Sequence, residues 1–441
     1  MQLEAWARQY GPYFKIKIGP RRIVVIGDHE AVATVLRSRP DGFSRTSRLQ
    51  EIWLELGLQP GVFGANGEVW KRQRRMVMAG FDPAHVKRYF PSLQAVALRL
   101  AGRWTTAARQ GRAIDLQADL MRYTVDTIAG LAFGASVNTL ESDDDIIQRH
   151  LDKLFPAIFK RLFAPIATWR IVRSPTDRRV ERSIREVIKS VDGFVQQARA
   201  RMAADPTLRE NPGNLLEAMI AAADQPDSGI DDGQVAGNVL TMLLAGEDTT
   251  ANTLAWMIHL LWRHPAVLAR AVAEVRGVTD GSTELTMEQM ADLPFVEACI
   301  HETMRLKPVA PVLPLQAIKD ITVGDVLIPA GRVVINLMRR DSVSELHLPN
   351  AAAFDPSRWL TEGGPAAQAS AAKRISMPFG AGPRICPGRY LAMLEMKIAM
   401  ATLLGRFDIV AVDTPDGGEA REHLSFTMLP VGLTMRLRER G

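Results

Sequence analysis

The sequence predicts a mainly α-helical protein with small β-sheets, and two observations predict it. From about Glu68 to Met257 apolar residues recur at helical spacing almost without a break. Strand-like alternation is confined to short runs outside that stretch: "YFKIKIG" and "RRIVVIG" near the start, "DITVGDVLIPAGRVVINL" and "LSFTMLPVGLTMRL" further on.

Taken in order, the chain opens in an amphipathic segment, "LEAWARQY", and the two early runs read as a hairpin followed by a helix from Asp28. "RRVERSIREVIKSVDGFVQQARARMA" (178–203) is a long helix with its charges on one face. The next helix begins near Asp231 with an acidic cap, runs to about Arg263 and stops at Pro265. Its length exceeds the usual range, so it is expected to cross the whole molecule. "TEGGPAAQASAAKR" (361–374) reads as a surface excursion, and the last apolar runs read as a hairpin whose tip, near Leu429 and Pro430, turns back toward the core.

The 441 residues, 47% hydrophobic and 23% charged, have the composition of an ordinary globular protein, and no linker or repeat divides them. A single domain spanning 1–441 is expected. A net charge of +5 from dispersed basic residues gives no support to nucleic-acid binding. The two cysteines, Cys299 and Cys386, are too few for a disulfide framework, no signal peptide is recognisable and no run of about 20 apolar residues spans a bilayer. A reducing, cytoplasmic setting is the expectation, with a deleted N-terminal membrane segment left open.

Cys386 stands in a loop crowded with Gly and Pro, "FGAGPRICPGR" (379–389). The following "RYLAMLEMKIAMATLLG" reads as a helix with Pro387 at its first position, where the missing N–H costs nothing. The sulfur then lies at a helix N-terminus, which favours a thiolate and lowers its pKa. Gly380 and Gly382 let the backbone fold tightly and keep side chains from between the sulfur and a flat ligand. A thiolate with a bare approach surface is what a haem iron takes as an axial ligand. Taken alone, a free cysteine is more often a small buried hydrophobe, so the surrounding residues carry the weight.

Those residues, Phe379, Gly380, Gly382, Arg384, Cys386 and Gly388, together resemble the cysteine-ligand loop F-G-x-G-x-R-x-C-x-G of the cytochrome P450 superfamily, bacterial type. Further motifs follow the superfamily's order. In "HETMRL", Glu302 and Arg305 share a helix face and resemble its E-x-x-R; Arg358 in "FDPSRW" is implied as the third member of a structural triad. "LLAGEDTTAN" resembles the oxygen-activation motif A-G-x-D/E-T-T, with Ala245 and Gly246 beside the haem and Asp248 and Thr249 as the catalytic acid and alcohol. Gly and Thr are poor choices inside a helix; Gly246 would let a flat group approach the backbone, and the Thr249 hydroxyl would bond a backbone carbonyl. Trp70 and Arg74 in "EVWKRQRR" resemble the W-x-x-x-R that holds a haem propionate. Lys71, Arg72, Arg75, Arg384 and Arg389 are expected to form a basic patch on the cysteine side.

The resemblance implies a cytochrome P450 fold, a helical haem domain crossed by one long central helix. It implies a haem-thiolate monooxygenase that inserts one atom of O2 into a small hydrophobic substrate by hydroxylation or epoxidation. Its cofactor would be haem b (iron protoporphyrin IX), with Cys386 as the metal ligand. Electrons would come from a ferredoxin, flavodoxin or flavoprotein reductase, or from a removed fused reductase. A peroxide-driven peroxygenase and a non-enzymatic haem sensor are the alternatives. Substrate-facing candidates are Arg45, Phe63, Phe155, Phe159, Phe163, Val309, Val312, Leu313, Met428 and Leu429, with Arg45, Arg48 and Arg161 able to anchor a fatty-acid carboxylate at the entrance. Two departures bear on the haem: Leu315 and Gln316 stand where many members place an arginine near a propionate, and Arg339 replaces a frequent histidine before Arg340 and Asp341.

Overall fold

Local chemistry sets the helix ends in the computed structural model, which describes residues 1–81, 83–134, 138–141, 146–280, 282, 284–360 and 366–440; for 83, 84, 133, 146–153, 155 and 366–370 it describes the backbone alone. The central helix is Asp232–Arg263. It starts in a capping box in which Asp231 accepts from the Gln234 backbone and Gln234 reaches back to Asp231. It ends at His264, where Pro265 opens the next helix. Asp28 caps the early helix His29–Arg37 by accepting from Ala31 N. Ser174 and Asp177 form a second capping box at the head of Pro175–Ala204.

The central helix packs chiefly against Leu116–Phe133 and also touches Pro175–Ala204, Pro294–Leu306 and Arg389–Arg406. Most of its length is buried, and one large apolar cluster joins Leu254, Trp256 and Leu261 to Trp104, Tyr123 and Leu403 from its neighbours. No described helix is long and apolar enough to cross a membrane.

Beside the helices lies a five-stranded sheet in the order Tyr13–Ile18, Arg21–Ile26, Val333–Leu337, Val312–Ala317, Phe43–Ser44. The expected early hairpin is its first pair, in register Tyr13 to Ile26. The pairing of Arg21–Ile26 with Val333–Leu337 is parallel, and the others are antiparallel.

The C-terminal hairpin differs from expectation. Its strands are Glu422–Leu424 and Met428–Pro430, so the turn lies at 425–427 rather than near Leu429 and Pro430. Thr434–Glu439 belongs to another sheet, paired with Phe407–Asp413 and Ile114–Asp115. Two successive apolar runs look like the arms of one hairpin in sequence, but each pairs with a different partner. Of the expected surface excursion, 361–365 lie outside the described residues, and Ala366–Ile375 is a helix.

Candidate active site

The cysteine loop closes on itself: Cys386 N donates to Phe379 O at 2.9 Å, and Ile385 N to Gly382 O at 3.0 Å. The helix that follows starts at Arg389 with Gly388 as its N-cap, so Pro387 precedes the helix instead of opening it. Gly380, at φ +75°, has open space where a Cβ would stand. Gly382, at φ +71°, differs: a Cβ there would lie 2.7 Å from Arg37 Cα, so its bareness lets the loop touch the His29–Arg37 helix, not a flat ligand. The thiol pKa also departs from expectation. Burial pushes the Cys386 thiol up, against the Gly388 N–H and the charges of Arg74 and Arg389. The Gly388 N–H and the arginine charges offset part of that rise, and coordination to a metal would favour the thiolate further.

Arg39, Arg45, Arg74 and Arg384 surround this loop, and among the described residues no acidic side chain acts on any of them. Arg384 donates to Asn66 Oδ1 and to the carbonyls of Val62 and Ala65, and lies over the Trp70 ring at 4.8 Å. Arg45 donates to Phe63 O at 2.8 Å, and its backbone N–H shares Asn66 Oδ1 with Arg384. Burial and the like charges of Arg39 and Arg74 push Arg384 down to about 9; burial takes Arg39 down to about 10 and Arg45 well below its ordinary value. Such charges cost on the order of several kcal/mol each to bury without a counter-ion. The two propionates of a haem fit this cluster, and the sulfur and Gly380 fit the flat ring beside it. Gln316 and Arg339 take no part: Gln316 bonds Ser47 N and Gly331 O, while Arg339 pairs with Glu4 and Glu422.

Glu302, Arg305 and Arg358 are fully or almost fully buried together. Arg305 grips both Glu302 oxygens at 2.7 Å, and Arg358 Nε lies 3.4 Å from Glu302 Oε1. Sequence reasoning missed two further donors to the same carboxylate, Trp359 Nε1 at 2.9 Å and Asp355 N at 3.0 Å. The remaining Arg305 protons satisfy the carbonyls of Ser342, Ala351 and Ala353, which ties the loop before the cysteine to this helix.

The middle of the central helix carries Ala245 to Thr253. Thr249 Oγ1 donates to Ala245 O at 2.7 Å, and Asn252 and Thr253 make the same four-residue back-bonds to Asp248 O and Thr249 O. Gly246 does not turn its bare side to the cavity: a Cβ there would lie 2.6 Å from Ile128 Cγ1, so the glycine serves close packing on Leu116–Phe133. Asp248 is largely buried, and burial raises its pKa while Thr427 and Asn252 oppose the rise by hydrogen bonding.

Ala245 and Thr249 open into a cavity of about 1040 Å³ including its mouth, with an almost wholly apolar lining. Phe63, Phe159, Val312 and Leu313 line it, as does Arg45, beside Trp53, Phe163 and Leu244. Val309, Met428 and Leu429 are not on its wall; the displaced turn brings Leu424, Phe426 and Thr427 there instead. The Phe155 side chain lies outside the described residues. Arg48 is spent on the carbonyls of Arg161 and Ala164, and Arg161 pairs with Asp177. The basic patch is smaller than expected, because Arg384 faces inward and Arg72 packs against Gly229. Arg75 is exposed, Arg389 half-buried, and Lys71 is paired with Glu68.

Comparison with known proteins matches residues 1–435 to the family model Cytochrome P450. The cyclooctat-9-en-7-ol 5-monooxygenase of Streptomyces melanosporofaciens is 28% identical over 92% of this chain and 84% of its own. A self-sufficient cytochrome P450 monooxygenase of Phanerodontia chrysosporium is 28% identical over 95% of this chain, which spans 39% of that longer protein. Among solved structures, the cytochrome P450DA heme domain superposes with a TM-score of 0.85 at 25% identity, covering 100% of this chain and 93% of that one. The chain therefore belongs to the cytochrome P450 family, and its activity is that of a haem-thiolate monooxygenase.

Proposed function

We propose that this monooxygenase oxygenates a neutral, apolar substrate of isoprenoid-like bulk, with residues 1–441 acting as a single haem-binding domain. The observation that carries the reading is the cavity wall: Phe63, Phe159, Phe163, Trp53, Leu244 and Phe426 surround a space whose polar groups are a few hydroxyls and one guanidinium. A fatty-acid carboxylate would need a cation. Arg48 and Arg161 are already engaged, and Arg45 stands with Arg39 and Arg384 in the group that suits the propionates. The alcohol in the name of the Streptomyces relative, cyclooctat-9-en-7-ol, agrees with a neutral substrate.

In this reading the cofactor is haem b held without covalent attachment. Cys386 would bind the haem iron through its sulfur, Arg74, Arg384, Arg45 and Trp70 would hold the propionates, and Gly380 and Gly388 leave the loop slim. When bound, haem supplies the activation and transfer of oxygen. The chain supplies the rest. Ala245 and Thr249 border the reacting space, the apolar wall excludes bulk water, and Thr249 presents a hydroxyl whose proton is exchangeable between Ala245 O and the cavity. Asp248, kept protonated to higher pH by burial, is the source from which that proton is replaced. This pair favours the reductase-driven reaction over a peroxide-driven one, which needs no such acid.

Electrons reach the site from a redox partner or a fused reductase. We assign the docking of an acidic ferredoxin, flavodoxin or flavoprotein to the face bearing Arg75 and Arg389. The unpaired Cys299 and Cys386 suit a reducing, cytoplasmic setting.

Titration of the haem-loaded protein with neutral sesqui- and diterpenoid alcohols and with fatty acids of matched carbon number tests the substrate class through the substrate-induced Soret shift. Neutral ligands are expected to saturate the shift at lower concentration. Tighter binding of the acids, lost on Arg45→Gln, would contradict the reading.

A further inference from the structure

The turn of the C-terminal hairpin does more than wall the cavity. Thr427 Oγ1 donates to Asp248 Oδ2 at 2.6 Å, across 179 residues of sequence, and Thr427 is buried. The other oxygen, Oδ1, accepts from Asn252 Nδ2 at 3.3 Å. The turn itself is pinned on both sides: Met428 N donates to Val309 O at 2.8 Å, and Trp256 Nε1 donates to Met428 O at 3.3 Å. Ser425 N donates to Thr427 O at 3.0 Å and closes it. A hydroxyl on so constrained a backbone has little freedom, and a donor held at this distance fixes the carboxyl it serves. The neighbouring Phe426 faces the cavity and pairs with Phe63 at 5.9 Å between ring centres. One turn thus meets the substrate space through Phe426 and the acid through Thr427.

We propose that Thr427 is a positioning residue for Asp248: its hydroxyl holds the carboxyl in the orientation from which protons pass into the cavity. When Asp248 is ionised, Thr427 donates to it. When Asp248 is protonated, its O–H can donate to Thr427 Oγ1 instead, so the threonine orients the carboxyl in either protonation state. The proton count balances: the proton that the carboxyl passes toward the cavity is replaced on it by one from solvent. This inference rests on the reading of Asp248 as the proton source.

Several charged groups on the surrounding elements have partners of their own, and Glu395 on Arg389–Arg406 is a buried carboxyl whose pKa is raised by burial. Glu422, at the hairpin base, pairs with Lys307 and Arg339; Asp119 pairs with Arg103, and Asp126 with Arg99, on and against Leu116–Phe133. Glu302 and Arg305 pair with each other on Pro294–Leu306, and Glu247 and His259 are the other titratable groups of the buried part of the central helix. The donors that act on Asp248 are Thr427 and Asn252.

The test compares Thr427→Val, which keeps the shape and loses the hydroxyl, with Thr427→Ser and Asp248→Asn in the haem-loaded protein. Infrared titration, with Asp248→Asn identifying the carboxyl band, is expected to show the Asp248 midpoint raised by about one pH unit in Thr427→Val and unchanged in Thr427→Ser, because a donor to a carboxylate favours its ionised form. Product formed per reductant consumed is expected to fall several-fold in Thr427→Val and to recover in Thr427→Ser. A midpoint and coupling ratio in Thr427→Val equal to wild type, while Asp248→Asn is uncoupled, would overturn the role of Thr427 alone. Wild-type coupling in Asp248→Asn would overturn the reading of the acid on which it rests.

Discussion

Buried ionisable side chains account for much of what single substitutions should do. Arg384 carries an unneutralised charge at the cysteine loop and binds three groups there. Arg384→Ala should therefore weaken haem retention by roughly tenfold to a hundredfold, the usual worth of hydrogen bonds to a charged group, as read by haem transfer to an acceptor protein. Retention equal to wild type would remove Arg384 from the cradle. Thr249→Ala should leave the haem spectrum intact and lower product per reductant on the order of tenfold or more, with the balance appearing as peroxide. Unchanged coupling would exclude the hydroxyl from proton delivery. Glu395 offers a pH prediction away from the site. It is buried on Arg389–Arg406, and burial raises its pKa well above the carboxylate range. The folded chain then holds this proton more tightly than the unfolded chain. That contribution is complete below the unfolded pKa of about 4.3 and is lost as pH rises through the folded value. Between those two values the melting temperature should fall less steeply with rising pH in Glu395→Gln, and an unaltered slope would refute the buried proton.

At the scale of elements, the Glu302 carboxylate joins a helix to two later loops through Arg305, Arg358, Trp359 and Asp355 N. Glu302→Ala strands two buried guanidinium groups and should cost about 3–5 kcal/mol, visible as lower denaturant resistance with loss of haem; a variant of wild-type stability would show that the network is dispensable. Elements with local signals were legible in sequence. Asp231, Gln234 and Pro265 mark the central helix to within a residue, and Asp28 marks the start of its own. The E-x-x-R pair was legible because three residues on a helix is a contact. The C-terminal hairpin was not, since its turn is decided by pairing Leu424 with Met428 while the next run leaves for another sheet. Gly246 and Gly382 were legible as bare positions, but the side to which each turns depends on Ile128 and Arg37, which no local pattern announces.

Across the whole molecule, the fold gathers Arg39, Arg45, Arg74 and Arg384 near the cysteine loop, sets Asp248 against Thr427, and brings Arg45, Thr249 and Thr427 to one cavity. Motif spacing pointed to Cys386, Asp248 and Thr249 as the candidate ligand, acid and alcohol. It could not disclose Arg39 or Thr427, whose meaning comes from neighbours far away in sequence, nor that Arg45 belongs with the cradle arginines. The half-buried Arg389 and exposed Arg75 leave a modest basic face, so electron transfer from an acidic ferredoxin should slow with rising salt and lose most of that dependence in Arg75→Glu/Arg389→Glu. A rate insensitive to salt in both proteins would place docking elsewhere.

The central claim is that Cys386 binds the haem iron as a thiolate. The visible spectrum of the dithionite-reduced, carbon monoxide-treated protein tests it most directly, for wild type and for Cys386→Ala. A strongly red-shifted Soret band in the wild type, absent from the variant, is the predicted result. The same carbon monoxide spectrum in both proteins, or no haem band in the wild type, would contradict it.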